Sequence, residues 1–203
     1  MASDSAAVRP ARPTIEEGLL YARYLNEAAE GAFRVLLGKG YDRVIAEAYL
    51  SPGHDLSYET AVFAERSGRI AGMASGYTSQ QHEQSSDEPL RRAAGFRIAR
   101  MAALSMLGRR IKRFIKAVPD GDYYLLAVAV DGQHRGAGIG STLLDYSEGR
   151  ASAAGCTRIV LDVGEKNAGA RRLYERRGMK VEARSPSIIF APGSRACRMV
   201  KPL

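Results

Sequence analysis

Residues 123–179 read YYLLAVAVDGQHRGAGIGSTLLDYSEGRASAAGCTRIVLDVGEKNAGARRLYERRGM, and the order of signals in that stretch decides the fold. Tyr123–Val130 is an unbroken run of apolar and aromatic residues, the mark of a buried strand. A glycine-rich loop follows, then Ser141–Ala154 in helical pattern, closed by Gly155. Thr157–Val163 is a second buried strand, and Ala168–Arg177 a second helix ending at Gly178. Strands alternating with helices at this spacing specify an α/β unit.

The flanks fit around that unit. Val8–Pro13 begins as a strand and is closed by prolines. Ile15–Leu37 places Leu19, Ala22, Leu25, Ala29, Phe33 and Leu36 at helical spacing and reads as one helix, stopped by Gly38 and Gly40. Asp42–Leu50 is a further helix, and Thr60–Arg66 with Arg69–Tyr77 form a hairpin about Ser67-Gly68. Thr78–Glu88 is polar and reads as a loop. Pro89 opens a helical segment that Gly95 and Gly108 divide and Pro119-Asp120-Gly121 ends. Lys180–Ala183, Ile188–Phe190 and Arg198–Val200 are the expected closing strands. The fold class is α/β, a single domain over residues 1–203 with a mixed β-sheet flanked by helices.

Composition narrows the class. The chain has 203 residues, enough for one core, with 45% hydrophobic and 26% charged residues. Cys156 and Cys197 are too few for a disulfide framework, and no Cys/His spacing suggests a metal. The N-terminus lacks the apolar core of a secretory signal, and no run of apolar residues is long enough to span a bilayer. A cytoplasmic location is the resulting expectation. The net charge of +8, from 30 basic against 22 acidic residues, favours polyanionic partners. Residues 90–116 hold nine Lys or Arg and no acid, more than the whole net charge.

The loop of the central unit runs Gln133-His134-Arg135-Gly136-Ala137-Gly138-Ile139-Gly140. Glycines at alternate positions before a helix leave amide N–H groups open to a ligand, and with the helix dipole they suit a pyrophosphate. Arg135 can add a charge-assisted bond. A P-loop would need a lysine where Ser141 and Thr142 follow Gly140, and there is none. A dinucleotide fingerprint would start directly after the strand and place glycine or alanine at Ser141. A capped glycine turn with no ligand remains the plain alternative for the loop alone.

The loop has companions. Val128-Ala129-Val130-Asp131, Arg135-x-x-Gly138-x-Gly140 and Asn167-x-x-Ala170-x-x-Leu173-Tyr174-x-x-x-Gly178-Met179 together resemble, in order and spacing, the signature of the GNAT superfamily of acyl-coenzyme A N-acyltransferases. Met179 stands where that family usually has phenylalanine, a tolerant change at a packing position. The motif-bearing resemblance covers residues 123–183, with 89–117 as a basic helical insertion. It implies acetyl-coenzyme A (acetyl-CoA) as acyl donor, no metal, and transfer to a primary amine of a small molecule or peptide. Backbone groups of Val128, Ala129 and Val130 would pair with the pantetheine arm as an added strand does. Arg135, Gly136, Ala137, Gly138, Ile139, Gly140 and Ser141 would hold the pyrophosphate. Asn167 and Ala170 would meet the cofactor arm, and Tyr174 would stand near the sulfur as general acid.

The reaction sets its own demands. A lysine-like ammonium of pKa ~10.4 needs about 4.6 kcal/mol to reach its nucleophilic form at pH 7. The site must desolvate it or supply a base. Asp162 on the second strand resembles in position the catalytic glutamate of the ribosomal-protein N-terminal acetyltransferase branch; a carboxylate bonded to a neighbouring loop is the other reading. Tyr174 is read as the acid, against a buried helix-face aromatic. Glu165 is near but solvated, and Glu27 and Glu30 read first as surface residues and second as lining for an acceptor cleft. His134 belongs to the loop, and His54 and His82 lie in polar stretches with no partner evident in the sequence. No Ser/His/Asp arrangement points to a covalent intermediate, so direct transfer is expected.

Residues 90–116 combine their cations with Phe96, Ile98, Met101, Leu104, Leu107, Ile111, Phe114 and Ile115 as an apolar stripe. A core-packing helix with a solvated face is the first reading; an acceptor-site wall, an anionic membrane contact and a nucleic-acid contact are the others. Acetylation of an aminoacyl-RNA and a coenzyme A-binding module without turnover are the competing functions. A homodimer is left open.

Overall fold

The computed structural model describes residues 6–107, 118–186 and 195–203. Among them β1 (Ala7–Pro10), β2 (Ala61–Arg66), β3 (Arg69–Thr78), β4 (Asp122–Val130), β5 (Arg158–Gly164), β6 (Lys180–Arg184) and β7 (Ala196–Pro202) build one mixed sheet. Its order is β1-β2-β3-β4-β5-β7-β6. Neighbours are antiparallel except β4 and β5, which run parallel because α7 (Ile139–Ala153) crosses between them.

Each face of the sheet carries its own core. On one side α7 and α8 (Ala168–Arg176) bring Ile139, Leu143, Leu144 and Tyr174 to Leu125, Ile159, Leu161 and Met199. On the other, α1 (Ile15–Ala28) and α3 (Tyr41–Tyr49) bring Tyr21, Tyr24, Leu25, Ile45 and Tyr49 to Phe63, Met73, Ala127 and Ala129. Burying one such side chain stabilises the fold by about 1.5–3 kcal/mol. The buried Glu17 is tolerated on α1 because Arg9 of β1 pairs with it at 2.7 Å. The hairpin turn has Ser67 at φ 50° and Gly68 at φ 72°, the double positive φ that a tight two-residue turn requires. Cys156 and Cys197 are free thiols.

Four expectations change. The single helix over 15–37 breaks in two, α1 and α2 (Ala32–Leu37), because Glu30 and Gly31 turn left-handed at φ 52° and 87°. Gly31 N–H caps α1 by bonding the Asn26 carbonyl at 2.8 Å. The loop over 78–88 contains α4 (Ser79–Gln84), held by reciprocal bonds between Thr78 and Gln81, a capping box whose third residue is Gln. The α7 helix starts at Ile139, two residues before the expected Ser141, so Ile139 and Gly140 form its first turn. The basic segment divides at Gly95 as expected, into α5 (Glu88–Ala94) and, after a 3₁₀ turn, α6 (Ile98–Leu107), but its apolar stripe does not survive intact. That turn throws Phe96 out of the expected stripe to 85% exposure, with the Arg97 guanidinium over its ring. Arg100 and Arg97 donate to the carbonyls of Val35 and Lys39, capping the end of α2. Gly108, the second half of the basic segment and the strand expected at Ile188–Phe190 lie outside the described residues.

Candidate active site

The sheet opens at its centre. β4 and β5 pair at only three positions, Asp122↔Arg158, Tyr123↔Ile159 and Tyr124↔Val160. The closed end is clamped by Arg158, which donates to both oxygens of the buried Asp122 carboxylate at 2.9 and 2.7 Å. Beyond Tyr124 the strands part. From Leu125 to Val130 one edge of β4 stays on β3, while the other meets no described strand.

A bulge marks the parting. Ser75 pairs with Ala127 and Gly76 with Leu125, so Leu126 is the extra residue. Leu126 and Ala127 therefore both face the α1 side, while Leu125, Val128 and Val130 face α7. Gly76 is needed opposite: a Cβ there would lie 2.6 Å from the Tyr123 ring and 2.8 Å from the Tyr124 carbonyl.

The glycine loop closes the open end. The first amide bonded into α7 from its cap is Thr142 N–H to the Gly138 carbonyl, 3.1 Å. The amides of Gly138, Ile139, Gly140 and Ser141 have no carbonyl within the helix. The glycines differ in purpose. Gly136 and Gly138 have φ 81° and 83°, and a Cβ on either would meet nothing within 4 Å, so their backbone conformation and not crowding asks for glycine. Gly140 lies inside the helix, where a Cβ would come within 3.1 Å of Leu173 of α8. It lets the two helices meet, which the reading of three equivalent cradle glycines missed. The Ile139 side chain is core, 2% exposed, so only its amide faces outward. Ala137 is exposed and Ser141 half-buried.

Acidic residues of the α1 end stand over the same mouth. Arg135 donates to Glu27 at 2.6 Å, Arg23 and Tyr24 donate to Asp131 at 3.0 and 2.8 Å, and the Glu30 carboxylate occupies the space a side chain on Gly164 would need. Glu27 and Glu30 are both exposed, as the first reading of their sequence has it, with Glu27 paired to Arg135.

On the α7 side, Asn167 caps α8 by accepting from Ala170 N–H at 3.1 Å, which leaves its amide nitrogen to face outward. Tyr174 is 7% exposed, and its hydroxyl has no hydrogen-bond partner among the described residues. Burial pushes its pKa up to about 12. Met179 fills the core behind it. Asp162 faces the opposite side. It accepts from the Tyr124 hydroxyl at 2.9 Å and from Arg198 at 2.9 and 3.1 Å, with both ion-pair side chains almost fully buried. Its oxygens are committed to that network, whose partners lie on the neighbouring strands β4 and β7 and not on the neighbouring loop that the sequence offered as the other reading.

Sequence reading also missed a pair on that side. His82 of α4 bonds through Nδ1 to Asp55 Oδ2 at 2.7 Å, and its ring stacks on Tyr77 at 5.3 Å. The two partners are 27 residues apart, and nothing in their local sequence announces the contact. His54 is instead a buried structural residue, its two ring nitrogens facing the Ala48 carbonyl and the Leu56 N–H. Among the described residues no cluster could hold a metal, and no helix is long and apolar enough to cross a membrane.

Comparison with known proteins places this geometry. A family model described as the acetyltransferase (GNAT) family matches residues 22–179. A crystal structure of an acetyltransferase is similar at 28% identity and TM-score 0.67, over 97% of this chain and 98% of that one. An N-acetyltransferase from Staphylococcus aureus Mu50 shares the fold at 18% identity and TM-score 0.67, over 97% of this chain and 100% of its own. A mutant agmatine N-acetyltransferase in its apo form does so at 20% identity and TM-score 0.59, over 98% and 100%. No curated protein matches the chain in sequence.

Proposed function

Because the chain belongs to the GNAT acetyltransferase family, we propose that it transfers an acyl group, acetyl in the first instance, from a coenzyme A thioester to a primary amine. The observation that carries this reading is the opened β4 edge ending at a helix start whose amides are free. The fit to the coenzyme is physical. Val128, Ala129 and Val130 offer strand hydrogen bonds to the amides of a pantetheine arm. Gly136 and the helix-start residues Gly138 to Ser141 offer N–H groups to a diphosphate, while Ala137 N–H is bonded to the His134 carbonyl. Arg135 would exchange Glu27 for a phosphate oxygen, a contact with higher charge.

The thioester supplies an activated acyl group on a thiol leaving group. The protein supplies position and proton control. Asn167 and Ala170 border the arm, and Tyr174, kept protonated by burial, donates toward the departing sulfur. Placing the amine against the acyl carbon contributes more than that donation, since a thiol of pKa near ~8.5 already leaves readily. Asp162 with Tyr124 and Arg198 stiffens the strands at the vertex of the opening rather than acting as the free base. Cytoplasmic residence is part of the same reading.

The test is calorimetry with acetyl-CoA, followed by free-thiol detection over a panel of amines. Saturable binding and amine-dependent thiol release are expected. Folded protein with no affinity for acetyl-CoA would sink the assignment.

A further inference from the structure

We propose that the small cavity between α4, α5 and β4 receives the acceptor amine, and that His82, oriented by Asp55, takes its proton. This rests on the acyl-transfer reading above and deepens it.

The cavity has a volume of about 160 Å³ and is lined by Asp55, Leu56, Tyr77, His82, Leu90 and Leu126, among others. Leu126 places it. That residue is the β4 bulge, two positions past the last pair with β5, where the opening begins. At ~3.3 Å per strand residue it lies roughly 13 Å along β4 from Val130, where the glycine loop starts, a distance an extended pantetheine arm spans. The cavity therefore touches the strand at the inner end of the opening, on the face opposite α7 and Tyr174.

Its walls suit one kind of guest. Leu56, Leu90, Leu126 and the Tyr77 ring are apolar, Ser85 and Ser86 are polar, and Asp55 and Asp87 are the two acids of the lining. Asp55 Oδ2 is bonded to His82, but Oδ1 is buried with no partner among the described residues. A buried carboxylate oxygen left unbonded is unfavourable, and an incoming ammonium would relieve it. The small volume, the apolar walls and the two lining aspartates together select a slim primary amine on an apolar or aromatic stem.

The imidazole is set up as a base. Nδ1 faces Asp55 at 2.7 Å, so in the neutral ring the proton sits on Nδ1 and the lone pair on Nε2. Nε2 has no partner among the described residues, and stacking on Tyr77 fixes the plane of the ring. The amine, R–NH₃⁺, gives one proton to Nε2, and Asp55 stabilises the resulting imidazolium. The nitrogen lone pair then forms the bond to the acyl carbon as the carbon–sulfur bond breaks. The second nitrogen proton ends on the sulfur by way of the Tyr174 hydroxyl, giving amide and free thiol, and His82 returns its proton to solvent.

The experiment uses the full chain with bromoacetyl-CoA, whose acyl carbon bears a displaceable bromide, and with short primary amines such as butylamine, phenethylamine and 1,4-diaminobutane. Mass spectrometry is expected to find His82 alkylated, with excess acetyl-CoA suppressing the label. His82→Ala should lower kcat/KM by about 10²–10³-fold, leave acetyl-CoA affinity unchanged, and recover turnover on addition of free imidazole, which a purely structural role would not allow. Coenzyme binding without label on His82, or turnover of His82→Ala within twofold of the parent, overturns the proposal. Absence of any coenzyme affinity overturns the acyl-transfer reading itself, a distinct result read before either.

Discussion

The two sides of β4 are built by different rules. Toward α7 the site is made mostly of backbone, a free strand edge, helix-start amides and glycines, with Arg135, Asn167 and Tyr174 adding side chains, all within residues 123–179. Toward α1 and α4 it is made of side chains from remote segments, with Asp55, Tyr77, His82 and Leu126 meeting only after folding. Backbone recognition needs contiguous sequence, because conformation is set residue by residue. Side-chain recognition needs only proximity, which the fold supplies from anywhere. The first side is suited to one invariant ligand and the second to a variable one.

That contrast can be broken experimentally, and the largest effect should come from the backbone side. Gly138→Val puts a β-branched residue at φ 83° and adds side-chain bulk at the cap of α7. Strain of about 1–2 kcal/mol plus occlusion should weaken acetyl-CoA binding by about a hundredfold or more in calorimetry. Gly76→Ala tests the bulge. The clash with the Tyr123 ring and Tyr124 carbonyl should cost about 2 kcal/mol in urea unfolding. Next comes Tyr174→Phe, expected to lower kcat about tenfold with coenzyme affinity unchanged. Since burial holds the parent hydroxyl at about 12, its pH profile should show no tyrosine-derived fall below pH 10. An unchanged kcat for the variant at every pH would remove Tyr174 from the chemistry. The smallest effect belongs to Glu27→Gln. Removing the partner that holds Arg135 at 2.6 Å should tighten acetyl-CoA binding, by about two- to fivefold for so exposed a pair, and less at high salt.

Much of the fold was legible because its signals are local. The strand at Tyr123, the hairpin at Ser67-Gly68 and the stops at Gly155 and Gly178 are conformations written where they occur. The break at Glu30-Gly31 was also written there, in Gly31, but helical spacing that continues across the turn concealed it. In α4 the capping box was readable from Thr78 and Gln81; the absence of apolar residues in so short a helix hid it. At the candidate site, the loop and Tyr174 could be named in advance because motif order carries them. Asp162 could be placed on its strand but not in its bonding network, since Tyr124 and Arg198 reach it across two neighbouring strands. The Asp55–His82 pair left no local trace at all.

Leu126 gives the sheet an unusual property. Because it and Ala127 face the same way, excising Leu126 would leave every other side chain of β4 on its present face, with strict alternation restored. The α7-side core would keep its membership and the α1-side core would lose Leu126 alone, while the strand would lose its bend and its bare edge would be free to pair with β5. One residue can therefore be subtracted to leave a folded sheet with its central cleft shut, a cleaner blank for ligand studies than any substitution in the cleft itself.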